Sequence, residues 1–569
     1  MQYPSSKKIL VLGCVFHFFI AGSSPLFAQS YQNPLNIPPA LSANFGELRN
    51  NHFHSGLDFK TQGVSNKAVF AVADGYVSRI LISPSGYGLA LYITHPATGH
   101  TSVYGHLNDF SKPIADYAKQ KQYELESFRV DLTVPPDVFP VKKGQQIALS
   151  GNTGGSGGPH LHFEIRDTES EEAIDPLKFY HLSIADTQKP DIRGIAIYPA
   201  MGKGVVNNAT EPFRTTITKS KAGVPQALKG VSAWGKIGVG VKAYDRMNGQ
   251  NNVYGVKTVR LFVDGKQVFG SSVNRFSFNE TRLLNSFIDF EDWRERNSFF
   301  MQSFVEQGNS LPFYQHVANG GYIVIDEERP YELTYELEDA HGNTTTYTFG
   351  IEGKRAEIPS PDCPQFMASN LDNSVVHFDF SLYIPTGNLY SNFCFHHGKI
   401  QSLLYFSDIY IINDKPVPLH RNVNAWIKLK TDSLDNRAQY GAVKLDKKGN
   451  AAWVGGVYKN GGVEFKINEL GGRYAIDTDS IAPQITPIDS AKWIAQKRIR
   501  LRLTDDKSGV SSFRGTINGE FVLFSHDVKS KVYTYVFDAG RLTRGKQELV
   551  FRVSDGVGNE GEYRYEFDY

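Results

Sequence analysis

Short runs of alternating apolar and polar residues are the dominant pattern of this chain. Such alternation is typical of β-strands with one buried face, and it is clear at residues 68–82 and 89–95. Residues 114–128 have a helical spacing instead and interrupt these strands. Beyond residue 185 the pattern is again that of strands, separated by turns rich in Asp, Gly and Asn. The pattern therefore predicts a mainly β protein.

Two stretches in the later part of the chain resemble each other. Residues 186–192 and 479–485 both begin with Asp and continue to Pro-x-Ile, and each stretch closes on an Asp followed by a Gly-Asn pair, at 339–343 and 555–559. An Asp and a Gly-Asn pair suit a tight turn between two strands. We therefore predict two immunoglobulin-like (Ig-like) β-sandwiches with a β-rich domain of weaker signals between them. These predicted domains are residues 186–353, 355–478 and 479–569.

Residues 1–28 have the pattern of an export signal. Two lysines precede an apolar run at residues 9–21, and Ala28 offers a small residue for cleavage. The apolar run is too short for a stable membrane span. An alternative is a lipoprotein attached through Cys14, but few apolar residues precede that cysteine and the run continues beyond it. The signal predicts export to the periplasm or the cell envelope.

Composition and charge narrow the classes of function. Lys and Arg total 60 against 59 Asp and Glu, so there is no electrostatic argument for binding nucleic acid or an anionic membrane. A chain of 569 residues is too long for one hydrophobic core. After the predicted export signal, the sequence contains two cysteines, Cys363 and Cys394. In an oxidising compartment they can pair, and the alternative is two buried thiols.

The unusual histidine chemistry lies in the first unit, residues 29–182. His54 and Asp58 are four residues apart, and a turn between them can aim both at one metal ion. His160 and His162 are two apart, so on a strand both point to the same face. A catalytic zinc site needs such nitrogen and oxygen ligands, with one tetrahedral position left for water. Each pair alone is a weak signal, because His-x-His on a strand more often serves packing or lies on the surface.

Five short stretches of the first unit give a stronger signal together. They are His-Phe-His-Ser-Gly-Leu-Asp at 52–58, Ala-Asp-Gly-Tyr-Val at 73–77, Tyr-Gly-His-Leu at 104–107, Val-Lys-Lys-Gly-Gln at 141–145 and Gly-Pro-His-Leu-His-Phe-Glu at 158–164. In this order and spacing they resemble the lysostaphin-like (LytM-type) zinc metalloendopeptidases. The resemblance covers about a quarter of the chain, from residue 45 to residue 178. It implies a compact antiparallel β fold of the duplicated-hybrid-motif type.

The resemblance also implies a role for each histidine of these stretches. His54, Asp58 and His162 would bind Zn²⁺. His106 and His160 would lie beside the water at the metal without binding the metal themselves. This chain departs from the usual pattern in the long segment between His106 and His160, which bears on substrate preference rather than on zinc.

Other histidines have simpler interpretations. His52 forms a second His-x-His pair and is an alternative ligand, but the spacing of the family favours His54. His95 and His100 lie on or near a β-turn, where packing or exposure to solvent explains them. His396 and His397 adjoin Cys394, and no further ligand pattern supports a second metal site there.

The activity implied by the resemblance is that of an exported zinc-dependent endopeptidase acting on peptide bonds in peptidoglycan, in stem peptides or cross-links. Peptidoglycan is the expected partner, and the Ig-like domains are candidates for binding other envelope proteins. Many relatives have lost ligands and regulate other wall enzymes, so a non-catalytic envelope regulator is one alternative. This chain retains all three implied zinc ligands and both implied flanking histidines, which favours an enzyme. A peptidoglycan-binding scaffold or adhesin, with the peptidase as a passenger, is the other alternative.

Overall fold

The computed structural model describes residues 31–179, 186–221, 223, 225–226, 228–538 and 540–569. The predicted export signal and Cys14 lie outside these residues. Nearly all regular structure is β, which confirms the prediction of a mainly β protein. Within the described ranges, no helix has the length and apolar content needed to cross a membrane.

A central antiparallel sheet forms the body of the first unit. In sheet order its strands are Leu41–Ala43, Leu57–Lys60, His160–Asp167, His100–Leu107, Leu89–His95, Gly75–Ile82 and Val130–Thr133. The shorter strands are Leu48–Arg49, His52–Phe53, Ala68–Phe70, Asp109–Phe110, Pro140–Val141, Gln146–Leu149 and Ala173–Ile174. The unit is thus the compact antiparallel β fold that the resemblance implies.

Alternation along one central strand separates the core from the functional side chains. Leu161, Phe163 and Ile165 are fully buried in the hydrophobic core of the first unit. Because successive side chains of a strand point to opposite faces, His160, His162 and Glu164 share the other face. The histidine pair is therefore presented by a strand whose opposite face is held in place by apolar packing.

The predicted helix at residues 114–128 is observed as Lys112–Glu124. Pro113 lies in its first turn, where the missing backbone N–H costs no helical hydrogen bond. The prediction is wrong at the C-terminal end, because Glu126 adopts a positive φ of 46° that ends the helix. The other helices are short: the α-helices Leu284–Phe287, Phe290–Arg296 and Trp493–Gln496, and the 3₁₀ turns Pro176–Lys178, Thr281–Leu283, Ala318–Gly321, Arg437–Gln439 and Ser490–Lys492.

The second unit shares one hydrophobic core with the first unit. Phe276 joins them, since its ring lies 5.2 Å from that of Phe45 and 5.6 Å from that of Phe53. Its own large sheet contains Asp191–Val206, Phe213–Thr216, Ser232–Tyr244, Thr258–Val263, Lys266–Ser272, Met301–Gln302, Tyr314–Val317, Ile323–Ile325, Pro330–Glu338 and Thr344–Gly353. The strand Arg275–Phe276 pairs instead with the first unit.

The third unit has a separate hydrophobic core. Cys363 and Cys394 form a disulfide at one end of it, with their Cα atoms 4.9 Å apart, so the alternative of two buried thiols does not hold. The strands of the third unit are Gln365–Met367, Asn373–Val376, Phe380–Ile384, Phe393–Phe395, His397–Ile400, Ile409–Lys428, Tyr440–Leu445, Ala451–Gly455, Val457–Lys459 and Gly462–Thr478.

The fourth unit consists of two small sheets around a third core. One sheet contains Gln484–Pro487, Arg498–Thr504 and Val532–Val536, and the other contains Val510–Ile517, Glu520–Val522, Lys546–Asp555 and Glu560–Asp568. Seven antiparallel strands in two layers are what a β-sandwich requires. The predicted domain boundaries and the Ig-like class of the second and fourth units stay predictions.

Candidate metal centre

Strand register brings the three predicted metal ligands together. His162 pairs with Asp58 on the neighbouring strand and with Gly105 on the strand at its other side. His54 lies just before the strand that carries Asp58. All three side chains are buried, and one ligand atom from each lies within 4.8 Å of the others. We call His54, Asp58 and His162 the metal centre.

The ligand atoms of the metal centre are in near contact. His54 Nε2 lies 3.1 Å from Asp58 Oδ1 and 3.1 Å from His162 Nδ1. The third side of this triangle, between His162 Nδ1 and Asp58 Oδ1, is 2.9 Å. The three atoms therefore point into one small volume from three directions.

Hydrogen bonds on the far side of each ring determine which nitrogen carries the proton. His54 Nδ1 lies 2.7 Å from the carbonyl oxygen of Asn44, an acceptor, so Nδ1 is the donor and Nε2 keeps its lone pair. His162 Nε2 lies 2.8 Å from Glu164 Oε1, so in the neutral ring Nδ1 keeps its lone pair.

Three lone-pair atoms around one point are the donor set of a cation. Two imidazole nitrogens and one carboxylate oxygen suit zinc, with a fourth position left open. Burial lowers the pKa of His162, but its hydrogen bonds to Asp58 and Glu164 outweigh this effect and raise the pKa to about 9. The residues present thus fit the Zn²⁺ that the resemblance implies.

Asp58 is fixed in its ionised form. Its Oδ2 accepts a hydrogen bond of 2.9 Å from Arg49, which leaves Oδ1 facing the two ligand nitrogens. Burial raises the pKa of Asp58, but the adjacent His54, His160 and His162 outweigh burial and hold the pKa well below its usual range. A buried carboxylate that stays charged can neutralise half of the charge of a divalent ion.

Behind His162 lies a buried network around Glu164. Its Oε1 accepts hydrogen bonds from Ser55 Oγ at 2.5 Å and Tyr87 OH at 2.6 Å, and its Oε2 accepts one from Arg166 at 2.7 Å. Burial raises the pKa of Glu164, but Arg166 and the hydrogen bonds outweigh it and hold the pKa well below its usual range. An ionised Glu164 orients the ring of His162, as such outer carboxylates do in metal sites.

The sequence pattern did not identify this network. Glu164 ends the stretch at 158–164, and its position two residues after His162 on the same strand face is a signal for this role. Arg49 and Tyr87 carry no comparable signal, because they reach the site from separate loops and strands.

His106 and His160 lie side by side next to the metal centre. Their ring centroids are 4.8 Å apart, and His160 Nε2 lies 3.5 Å from Asp58 Oδ1. The side chain of His160 is 15% exposed, whereas those of the three ligands are 6% exposed or less. His160 thus lies on the side of the metal centre that faces solvent, and the buried ring of His106 lies beside it.

Backbone carbonyls hold both rings by Nδ1. His106 Nδ1 donates to Thr153 O at 2.8 Å, and His160 Nδ1 donates to Gly158 O at 2.8 Å. Each ring therefore turns Nε2 towards the centre. Burial, and then the positive charges of neighbouring histidines, lower the pKa of His106 to about 3, so its ring is neutral at neutral pH. A neutral ring with a free Nε2 can accept a proton.

The fourth unit contacts the Gly-rich turn that supports His106. The backbone N–H of Gly154 donates to Asp527 Oδ2 at 3.0 Å, and Lys529 Nζ contacts the carbonyl oxygen of Asn152. These two residues of the turn flank Thr153, whose carbonyl holds His106. The tail of the chain therefore reaches the rim of the metal centre.

The remaining histidines do not join the metal centre. His52 is exposed and its Nδ1 lies 2.7 Å from Asn50 O, so the alternative ligand does not reach the ligand set. His95 is fully buried between Asp74 O and Ser102 Oγ, which is a packing role. His397 lies 3.2 Å from His377, but the described residues supply no third metal-binding side chain there.

Two family models match the chain. The model described as Peptidase family M23 matches residues 138–176, which include His160 and His162. The model described as a Zu5-like domain matches residues 364–479. This range is close to that of the third unit, for which the sequence pattern predicted a β-rich domain without naming a family.

Relatives and solved structures match a limited part of the chain. Over 125 residues it is 34% identical to an uncharacterized metalloprotease of Haemophilus influenzae, a match that covers 22% of this chain. The chain spans about a fifth of the length of this curated relative, 20% by the same alignment.

Among solved structures, the catalytic domain of the antimicrobial peptidase lysostaphin from Staphylococcus simulans is 25% identical, with 24% of this chain and 87% of that chain covered and a TM-score of 0.18. A zinc containing peptidase from Vibrio cholerae is 26% identical, over 26% of this chain and 39% of that chain, with a TM-score of 0.19. The resemblance deduced from the five stretches is confirmed by the family model: the first unit of this chain matches peptidase family M23.

Proposed function

We propose that the first unit is a zinc-dependent endopeptidase that hydrolyses peptide bonds in peptidoglycan, in stem peptides or cross-links. The observation that carries this proposal is the convergence of three lone-pair atoms from His54, Asp58 and His162, with two further histidine rings beside them. The match to peptidase family M23 supports the reaction type. The substrate class rests on the resemblance of the five stretches.

The side chains of the site have different roles in the proposed hydrolysis. His54, Asp58 and His162 would hold the zinc ion, which supplies a Lewis acid that polarises a carbonyl and acidifies water. His106 turns a free Nε2 towards the centre and accepts the proton of the attacking water. His160, the more exposed ring, in its protonated form donates from Nε2, which stabilises the developing oxyanion or supplies the proton of the leaving amine.

A protein exported to the periplasm or envelope is part of the same proposal. The pattern of residues 1–28 supports it, and so does the disulfide between Cys363 and Cys394, because structural disulfides persist in oxidising compartments. N-terminal sequencing of the protein from cell fractions is the test. Intact residues 1–28 on a cytosolic protein would contradict export.

The test of activity is digestion of purified wall material, with the new termini identified by mass spectrometry and zinc measured on the same sample. We expect new amino termini within peptide stems or cross-links, and about one zinc ion per chain in the first unit. His52→Ala is the matched control, because His52 is the neighbouring histidine outside the ligand set and its loss should change neither reading. A zinc-loaded protein that releases no new termini would support the non-catalytic regulator instead.

A further inference from the structure

The second unit contains a group of three carboxylates that packing does not explain. Asp186, Asp245 and Asp339 each place one oxygen within 4.8 Å of the other two. We call these three residues the acidic cluster. Asp186 lies where the described chain enters the second unit, Asp245 directly follows the strand Ser232–Tyr244, and Asp339 directly follows the strand Pro330–Glu338. Three separate segments therefore bring negative charge to one point.

Asp245 is the residue that points to a ligand. It is 1% exposed, and neither of its carboxylate oxygens has a hydrogen-bond partner. Asp186 Oδ2 is also buried without a hydrogen bond. A buried carboxylate with no partner is costly, because nothing replaces the water that it has lost. Burial raises the pKa of Asp245, the nearby backbone N–H of Arg246 lowers it, and the negative charges of Asp339 and Asp186 raise it again, to about 7.

Among the described side chains, the acidic cluster has no lysine or arginine partner. Within the described residues, no Lys or Arg forms a salt bridge with any of its three members. The imidazole of His341 contacts the cluster, with Nδ1 3.6 Å from Asp186 Oδ2, and it is charged only if protonated. Up to three negative charges therefore face one another without an opposite charge of equal size.

Asp339 is held in place by its own turn. Its Oδ1 accepts hydrogen bonds from the backbone N–H of His341 at 2.8 Å and of Asn343 at 2.9 Å, and its Oδ2 accepts one from Asn343 Nδ2 at 2.8 Å. The same Asn343 amide donates to the backbone carbonyl of Asp186 at 3.2 Å. The turn thus fixes two of the three segments, whereas Asp245 reaches the cluster with both oxygens free.

We propose that Asp186, Asp245 and Asp339 bind one hard divalent cation of the calcium class. Calcium takes oxygen ligands at about 2.3–2.6 Å, so two of its ligands lie at most about 5 Å apart. The spread of 4.8 Å in the acidic cluster satisfies this limit. A donor set of carboxylate oxygens, without nitrogen or sulfur, favours calcium, magnesium or manganese over zinc. Calcium fits best, because magnesium demands a near-ideal octahedron and keeps several waters.

The fourth unit repeats this arrangement. Asp479, Asp505 and Asp555 also place their ligand atoms within 4.8 Å of one another, and Asp505 Oδ1 is buried without a hydrogen-bond partner. Asp555 and Asn559 make the same turn as Asp339 and Asn343, and the Asn559 amide donates to the carbonyl of Asp479 at 3.2 Å. The recurrence of the carboxylates together with the turn indicates that both belong to one functional unit.

A third copy of the turn shows that the turn alone does not create the cluster. Asp446 accepts hydrogen bonds from the N–H groups of Lys448 and Asn450 and from Asn450 Nδ2 at 2.7 Å, the same pattern as at Asp339. Asp446 is exposed, and it belongs to no group of three metal-binding side chains within the described ranges. It therefore supplies a matched control.

The experiment is a titration of the zinc-saturated full-length chain with CaCl₂ by isothermal calorimetry, paired with thermal unfolding in calcium and in the calcium chelator EGTA. We expect calcium to bind and to raise the unfolding temperature. Asp245→Asn should remove one binding event or weaken it at least about tenfold, since ligand charge sets calcium affinity. Asp446→Asn should behave as the unsubstituted chain.

Two results would overturn the proposal. One is an unsubstituted chain that shows neither calcium heat nor a calcium-dependent unfolding temperature. The other is an Asp245→Asn chain that binds as many ions, as tightly, as the Asp446→Asn chain. A variant that fails to fold is recognised by circular dichroism, and Asp245→Ala then provides the second substitution. Because the readings are calcium binding and unfolding, they do not depend on peptidase activity.

Discussion

The metal centre and the acidic cluster are both buried groups of three ligands, but they differ in what stands behind each ligand. At the metal centre His54 is held through its second nitrogen by a carbonyl and His162 by a carboxylate. In the acidic cluster Asp339 is held by its turn, whereas Asp245 has no hydrogen-bond partner on either oxygen. The first arrangement fixes the geometry of the ligands and the position of their protons, as a catalytic site requires. The second supplies charge at a junction of chain segments, which suits a structural ion.

The largest effect is expected from a substitution that removes one residue of the metal centre. His162→Ala should lose zinc and activity together, because His54 and Asp58 alone fall short of the three protein ligands usual for catalytic zinc. Zinc content by mass spectrometry and turnover on wall fragments are the measurements. Calcium binding at the acidic cluster should be unchanged, since none of its residues is involved. Full activity in this variant would place the reaction elsewhere.

The next test separates holding the metal from moving protons. His160→Ala and His106→Ala should each keep near-stoichiometric zinc and lose about a hundredfold or more in rate, the usual scale for a general acid or base. Both rings lie beside the ligands, and each is held through Nδ1 by a carbonyl. The assignment is reversed if His160→Ala is free of zinc while His162→Ala retains it.

A smaller effect is expected from the hydrogen bonds behind the ligands. Glu164→Gln replaces a carboxylate that accepts bonds from His162 and Arg166. Loss of such an outer partner typically weakens metal affinity by about 10–100-fold. Competition with a zinc chelator measures this. Tyr87→Phe, which removes one bond to Glu164, should weaken affinity less. An equal effect of the two variants would indicate loss of folding rather than of ligand orientation.

The comparison also shows how much the sequence can predict. The alternation at residues 158–164 places His160 and His162 on one strand face, and the observed strand agrees. The pairing of His162 with Asp58 depends on strand register, which periodicity does not give. The resemblance to the family implied only that both residues bind the metal. Arg49 and Tyr87 were missed because their roles depend on contacts between distant segments.

The acidic cluster was missed for a related reason. The Asp and the Gly-Asn pair at 339–343 were interpreted as a turn, which is what they form. The turn is local and therefore visible in the sequence. The cluster also needs Asp186 and Asp245, which the fold brings in from two other segments. The signal that could have revealed it is the presence of all three aspartates in both repeats.

In the absence of calcium, the acidic cluster should make the stability of the folded chain depend on pH. Burial and neighbouring charges raise the pKa of Asp245 from 3.8 to about 7, so the folded chain binds this proton more tightly than the unfolded chain. Asp245 therefore lowers the free energy of unfolding progressively as the pH rises from 3.8 to about 7. Above about pH 7 this loss of stability is complete.

Asp245→Asn removes that penalty. In EGTA the variant should unfold at a higher temperature than the unsubstituted chain at about pH 8, and the difference should shrink towards about pH 5. Added calcium should reverse the order at the higher pH, because only the unsubstituted chain gains the full ion. An equal difference at both pH values would show that the charge of Asp245 is not responsible.

The smallest expected effect concerns the contact between the fourth unit and the rim of the metal centre. Asp527 accepts a hydrogen bond from Gly154 N, next to the residue whose carbonyl orients His106, so Asp527→Ala should loosen that ring without touching a ligand. A hydrogen bond of this kind contributes about 0.5–1.5 kcal/mol, which corresponds to a rate loss of about two- to tenfold with zinc content unchanged.

Asp538→Ala is the matched control, since Asp538 joins the same two units through Lys119 and Tyr123 but is not among the residues that bond to the Gly-rich turn. A lower kcat in the first variant alone would mean that the tail helps to position His106. Equal losses in both would mean that docking of the fourth unit matters as a whole, and no loss in either would mean that the tail does not help to position His106.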